Sequence, residues 1–161
     1  MMPKRSRAEL QAQYDERLAL FAVLWEWLKP QFGLTVSIES DPLEKAKSAR
    51  DSHKISQELS GLNQAINDSL EMAKHAPPDL KNELDLQLAT NDLPSLTTLC
   101  SLQYKKVTNI VRRGSIRTEE EYYLCVEKAG QLDFPLNEKD QKKLDTIIHE
   151  FELHRSNFDP D

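Results

Sequence analysis

The chain has 161 residues, 30% of them charged and 39% hydrophobic, with 27 acidic residues against 21 basic ones and a net charge of −6. That length suits one domain burying roughly two-thirds of its unfolded surface, so neither disulfide nor metal staples are needed, and the apolar content argues against wholesale disorder. Negative net charge opposes unspecific attraction to nucleic acid or anionic lipid and favours a partner with a basic surface.

The expected fold class is all-α: a single compact domain over residues 1–161, of six or seven helices. Four glycines and eight prolines occur, and most of them stand where helical patterns begin or end. Ser6 with Glu9 three residues on reads as a capping box, and Tyr14, Leu18, Phe21, Trp25 and Leu28 step by four and three, which predicts a first helix from about Ser6 to Lys29. Leu20, Leu24 and Trp27 add a second stripe in its latter half, so other helices should wrap this end on more than one side. Its most apolar run, Leu18 to Leu28, is too short to span a bilayer and contains Glu26; no membrane span is expected. The N-terminal residues turn polar without an apolar core or cleavage site, so a secretory signal is not expected either.

From Pro30 to Ser40 the periodicity lapses, and the alternation in TVSIE suggests a loop with a short extended segment near 35–39. Asp41-Pro42 then supplies a cap followed by proline at the first helical position. A stripe of Ile55, Leu59, Leu62, Ile66, Leu70 and Ala73 carries helix to His75. The polar stretch from Glu44 to Lys54 is either a solvent-facing extension of that helix or a short helix of its own that breaks near Ser52.

Ala76-Pro77-Pro78 stops the pattern, and Leu80, Leu84 and Leu88 mark a short helix ending before Asn91. Asp92-Leu93-Pro94 is expected to open the next. That helix turns Leu96, Leu99, Cys100, Gln103, Val107 and Ile110 or Val111 inward and closes at Gly114. Thr118 with Glu121 forms a second capping box, starting a helix that ends at Gly130, and Asn137 caps a last helix with Leu144, Ile147, Ile148 and Phe151 inward. The ends, 1–5 and 156–161, should fray.

Charge is unevenly placed along this order. Leu93 to Arg117 contains five bases (Lys105, Lys106, Arg112, Arg113 and Arg117) and no acid, whereas Thr118 to Asp161 holds 12 acids against five bases, or −7. Bases in the last turn of one helix and glutamates in the first turn of the next each complement a helix dipole, so a helix, a tight turn and a second helix account for the junction. A DNA-reading helix-turn-helix would set Glu119, Glu120 and Glu121 against phosphates, which repel them. A looser phosphate-binding patch would use the five bases together with Tyr104, Lys4, Arg5 and Arg7. Lys105, Lys106, Arg112, Arg113, Arg117, Glu119, Glu120 and Glu121 are thus the candidate contacts for a protein or nucleic-acid partner.

Catalytic and metal constellations are not evident, and no cofactor, metal or enzymatic activity is expected. His149 and His154 lie five apart, about 140° around a helix, where a shared metal needs a spacing of four. His53 and His75 stand alone. Cys100 and Cys125 sit among apolar neighbours, where thiols are usually buried and inert, and neither a disulfide framework nor a zinc site is suggested; a cytoplasmic, reducing compartment fits them. RRGS at Arg112 to Ser115 matches a basic-directed kinase target, a pattern common by chance.

Ile110, Val111, Arg113, Gly114, Ile116, Thr118, Glu120, Glu121, Tyr122, Tyr123 and Leu124 together resemble a segment of small uncharacterised bacterial helical proteins. The resemblance implies a bacterial origin and a helical fold and carries no activity. The expected function is therefore a non-enzymatic protein-interaction domain binding a basic partner in the manner of an immunity protein or antitoxin. The alternative is a nucleic-acid-binding regulator using 105–117, with a log-log salt slope of about −3 to −5 for five bases.

Overall fold

In a computed structural model the described residues, 4–31, 33, 37, 40–131 and 135–158, are all-α, with seven helices and no strand among them. These are α1 (Arg7–Gln31), α2 (Pro42–Ala49), α3 (Ile55–Lys74), α4 (Pro78–Thr90), α5 (Leu96–Arg113), α6 (Glu119–Ala129) and α7 (Glu138–Phe158). Six or seven helices were expected, and the open choice over 43–75 is settled as two helices that part at 50–54. Of the extended segment expected near 35–39 only Ser37 is described, and the chain ends 1–3 and 159–161 lie outside the described residues. Helix α7 runs on to Phe158, past the point at Ser156 where fraying was expected. No helix is long and apolar enough to cross a membrane.

Contacts divide the chain into two compact units, Met1–Leu99 and Cys100–Asp161. In the first unit α1 packs against α2, α3 and α4. Tyr14, Leu20, Phe21, Leu24, Trp27 and Leu28 are all buried, so both stripes of the helix face neighbours. Polar ties from α1 reach each of them. Tyr14 donates its hydroxyl proton to the Ala46 carbonyl at 2.5 Å, Arg17 Nε donates to Asn63 Oδ1 at 2.6 Å, and Trp27 Nε1 donates to the Leu80 carbonyl at 3.1 Å. A buried aromatic with a polar tip needs such a partner, and finding it in the next helix fixes how the two helices slide past one another. Trp25 lacks this: its indole N–H is buried without an acceptor.

The caps show where local sequence sets helix boundaries. Ser6 Oγ accepts from the Glu9 amide at 3.1 Å and Glu9 accepts from the Ser6 amide at 3.4 Å, a reciprocal box. Asp41 accepts from the Leu43 amide at 2.8 Å. Asp92, expected to open α5, instead closes α4. It takes φ +57, while the Leu93 amide bonds Leu88 O at 2.9 Å and the Asp92 amide bonds Ala89 O at 3.1 Å, the paired reverse bonds that end a helix with one left-handed residue. Aspartate tolerates that conformation better than bulkier residues do. The start of α5 falls to Ser95, whose Oγ accepts from the Thr98 amide at 3.2 Å, and to Asp85 from α4, which accepts from the Leu96 amide at 2.8 Å.

The second unit has its own core: Val107, Ile110 and Val111 of α5, Ile116 of the turn, Leu124 and Cys125 of α6, and Leu144 and Ile147 of α7. Tyr122, Ile148 and Phe151 cover its edge. Asn137 Oδ1 accepts from the Asp140 amide at 2.7 Å and caps α7 as expected.

Candidate interaction site at the α5–α6 junction

Gly114 closes α5 at φ +86 with its amide on Ile110 O at 2.9 Å, and Ile116 then drops into the core. A left-handed residue turns the chain back, and the buried isoleucine anchors the turn. Thr118 caps α6, accepting from the Glu121 amide at 3.1 Å. The box is not reciprocal in the ordinary way. Glu121 Oε1 accepts from the Arg117 amide at 2.9 Å, one residue before the cap.

That displacement frees Glu121 for a second task. Arg113 at the end of α5 grips its carboxylate with both terminal nitrogens, at 2.6 and 3.2 Å, and also donates to the Ser115 carbonyl at 2.7 and 3.1 Å. One guanidinium thus bolts the end of α5, the turn and the first turn of α6 together, using the planar fork that lysine lacks. Burial pushes the Glu121 carboxyl up, but the hydrogen bonds from Arg113 and the Arg117 amide, with the charges of Arg113 and Lys106, outweigh it and hold the group below the ordinary carboxylate range. Lys106 pairs with Glu120 at 3.2 Å, and Glu119 pairs with Arg155 of α7 at 3.2 Å.

The eight candidate residues therefore fall into two sets. Lys106, Arg113, Glu119, Glu120 and Glu121 are joined in ion pairs of the junction itself. Lys105, Arg112 and the Arg117 side chain are exposed and make no ion pair or side-chain hydrogen bond among the described residues. Lys105 and Arg112, seven apart, share one face of α5.

Sequence reasoning did not find the α7 side of this cluster. Arg155 lies over the Tyr122 ring at 5.4 Å, Tyr122 stacks on Phe151 at 5.1 Å, and its hydroxyl donates to Glu152 at 2.8 Å. The bond to Glu152, then burial, raises the Tyr122 hydroxyl above its usual value. These partners are about 30 residues apart in sequence, and no local pattern links them. Cys125 is fully buried, and burial pushes its thiol up to about 12, which keeps it protonated and unreactive at neutral pH.

Pairing also changes what the acidic C-terminal stretch presents. Besides the three junction glutamates, Glu138 pairs with Lys142 at 3.6 Å, Asp145 accepts from Gln141 at 3.3 Å, and Glu152 accepts from Tyr122. Of these pairs, those of Glu120 with Lys106 and Glu121 with Arg113 answer two of the excess charges from outside the stretch, whereas Arg155 and Lys142 are already counted in the −7. In the first unit Glu16, Asp68, Asp79, Glu83 and Asp92 are exposed and carry no ion pair or side-chain hydrogen bond among the described residues. Asp79, Glu83 and Leu86 step by four and three along one face of α4, and Leu86 is 70% exposed.

No family model, no curated protein and no solved structure matches the chain.

Proposed function

We propose that the chain is a protein-interaction domain that acts by binding, docking on a basic partner as an immunity protein or antitoxin docks on the enzyme it blocks. The observation that carries this reading is the outer face of α4, where Leu86 stands in solvent after Asp79 and Glu83, two carboxylates with no ion pair or side-chain hydrogen bond among the described residues. Interfaces gain affinity from an apolar anchor and gain association rate and selectivity from unanswered charge around it. On this reading the acidic contacts lie on α4, while Glu119, Glu120 and Glu121 pair with Arg155, Lys106 and Arg113.

Affinity purification from the cell that makes the protein tests this. A basic partner should be retained at low salt, be released as salt rises, and be lost from the Asp79→Lys, Glu83→Lys double variant. Retention of the same partner by the double variant, or of no partner at low salt, rejects the reading.

A second reading is favoured by the free bases Lys105, Arg112 and Arg117, which would contact nucleic-acid phosphate. With Lys106 and Arg113 already paired, three contacts remain, and the log-log salt slope should be about −2 to −3. Titration of labelled DNA and RNA against the wild type and an Arg112→Glu, Arg117→Glu variant separates the two readings.

A further inference from the structure

Two exposed helix faces share one pattern with opposite charge. On α4, Asp79, Glu83 and Leu86 step by four and three, which keeps them within about 60° of one another around the helix, and Leu86 is 70% exposed. On α5, Leu102, Lys105, Asn109 and Arg112 step by three, four and three and lie within about 80°; Leu102 is 52% exposed, and the other three are exposed as well. Each face therefore holds one leucine in water with two like charges to one side of it. Asp79 and Glu83 on the one, Lys105 and Arg112 on the other, make no ion pair or side-chain hydrogen bond among the described residues.

The order of the charges along each helix is also opposite. The acids precede Leu86, whereas the bases follow Leu102, so two such helices laid antiparallel bring leucine to leucine and acid to base. At about 1.5 Å per residue, Glu83 stands about 4.5 Å along the axis from Leu86 and Lys105 about 4.5 Å from Leu102, a direct match. Asp79 stands about 10.5 Å out and Arg112 about 15 Å, and the long arginine side chain, which leans toward the N-terminus of its helix, spans the difference. Laid parallel, the same helices would leave every one of these charges without a counterpart. A phosphate backbone would answer Lys105 and Arg112 and leave Leu102 in water; the α4 face answers all three.

We propose that the chain self-associates head to tail, the α4 face of one copy seating on the α5 face of the next, with Leu86 on Leu102, Glu83 at Lys105 and Asp79 at Arg112. The two faces differ, so the contact is heterologous: an open assembly keeps a free α4 face at one end and a free α5 face at the other, and copies add until a ring closes. Exposed ion pairs are individually weak and screened by salt, so the association belongs to the weak, salt-sensitive class. Self-association uses the same α4 face as the interaction reading but needs no foreign partner. Its failure would leave capture of a basic partner by α4 untouched.

Sedimentation equilibrium of the purified full chain, freed of nucleic acid, tests it at low salt over about 0.05–1 mM, the range in which weak interfaces become populated. The weight-average mass should rise with concentration to at least about twice that of one chain and return to that of one chain at about 0.5 M salt. Asp79→Lys with Glu83→Lys, and separately Lys105→Glu with Arg112→Glu, should each leave a single chain, because like charges then face each other. Mixing these two double variants, or combining all four substitutions in one chain, should restore association. Leu86→Ser and Leu102→Ser should each raise the concentration needed for half-association by about tenfold. A single-chain mass at about 1 mM and low salt overturns the proposal. So does association that persists in either double variant, which would place the contact elsewhere, and so does restoration in neither the mixture nor the fourfold variant, which would mean that the two faces do not meet each other.

Discussion

The two units solve the same problem, holding three or four helices in register, with different chemistry. In the first, α1 packs against α2, α3 and α4 and is fixed by buried aromatics, by hydrogen bonds from Tyr14, Arg17 and Trp27, and by the Asp15–Arg50 ion pair at 2.5 Å. In the second, a smaller apolar core is bordered by ion pairs at the surface, with Arg113, Lys106 and Arg155 answering Glu121, Glu120 and Glu119. Ion pairs serve the first unit as well, and exposed acids without an ion pair or side-chain hydrogen bond among the described residues remain there, Asp79 and Glu83 of α4 among them. In the second unit Lys105, Arg112 and Arg117 are among the exposed bases without an ion pair among the described residues.

The largest expected effect breaks the first arrangement. Trp27→Ala removes a side chain 2% exposed together with its bond to Leu80 O, and should destabilise the chain by about 3–5 kcal/mol in urea unfolding followed by circular dichroism. A cost below about 1 kcal/mol would mean that α1 is not the member around which the first unit packs.

Next come the devices of the junction. Arg113→Ala leaves Glu121 half-buried without its bidentate partner and should cost about 1–3 kcal/mol in the same measurement. The sequence showed Arg113 only as one of the bases that end α5, because it could not show the fork closing on one carboxylate. Gly114→Val forces a β-branched residue to φ +86 and should cost at least about 1–2 kcal/mol. Thr118→Ala should cost about 0.5–2 kcal/mol.

Acid titration sharpens the contrast. The Glu121 carboxyl is lowered in the folded state, so its contribution is complete above the unfolded value of 4.5 and is lost as pH falls through the lower folded value. Stability of the wild type should fall in that acid window more than that of Glu121→Gln, in unfolding curves collected from neutral pH downward. Equal slopes would show that the ion pair is not what holds α5 to α6. The smallest effect belongs to Arg112→Gln, which removes an unpaired exposed charge and should stay within about 0.5 kcal/mol.

Helix count, most boundaries and the inward stripes were legible in the sequence, because caps act over three or four residues and burial follows the helical period. Ser6, Asp41, Thr118 and Asn137 all cap as their spacing implied. The opening of α5 was misread at Asp92 because an aspartate before proline suits a helix start and a left-handed helix end alike; the choice depended on Asp85, from the preceding helix, reaching the Leu96 amide.

What only the tertiary structure decided is which partners distant residues find. The sequence by itself determined that bases precede and acids follow Gly114; it did not determine that Arg113 takes Glu121, that Arg155 reaches back to Glu119 over the Tyr122 ring, or that Lys105 and Arg112 are left over. Nor did it show that the contacts gather in two units. Caps and periodicity are set by neighbours along one helix, whereas these ion pairs arise where separate helices meet, at separations no local pattern encodes.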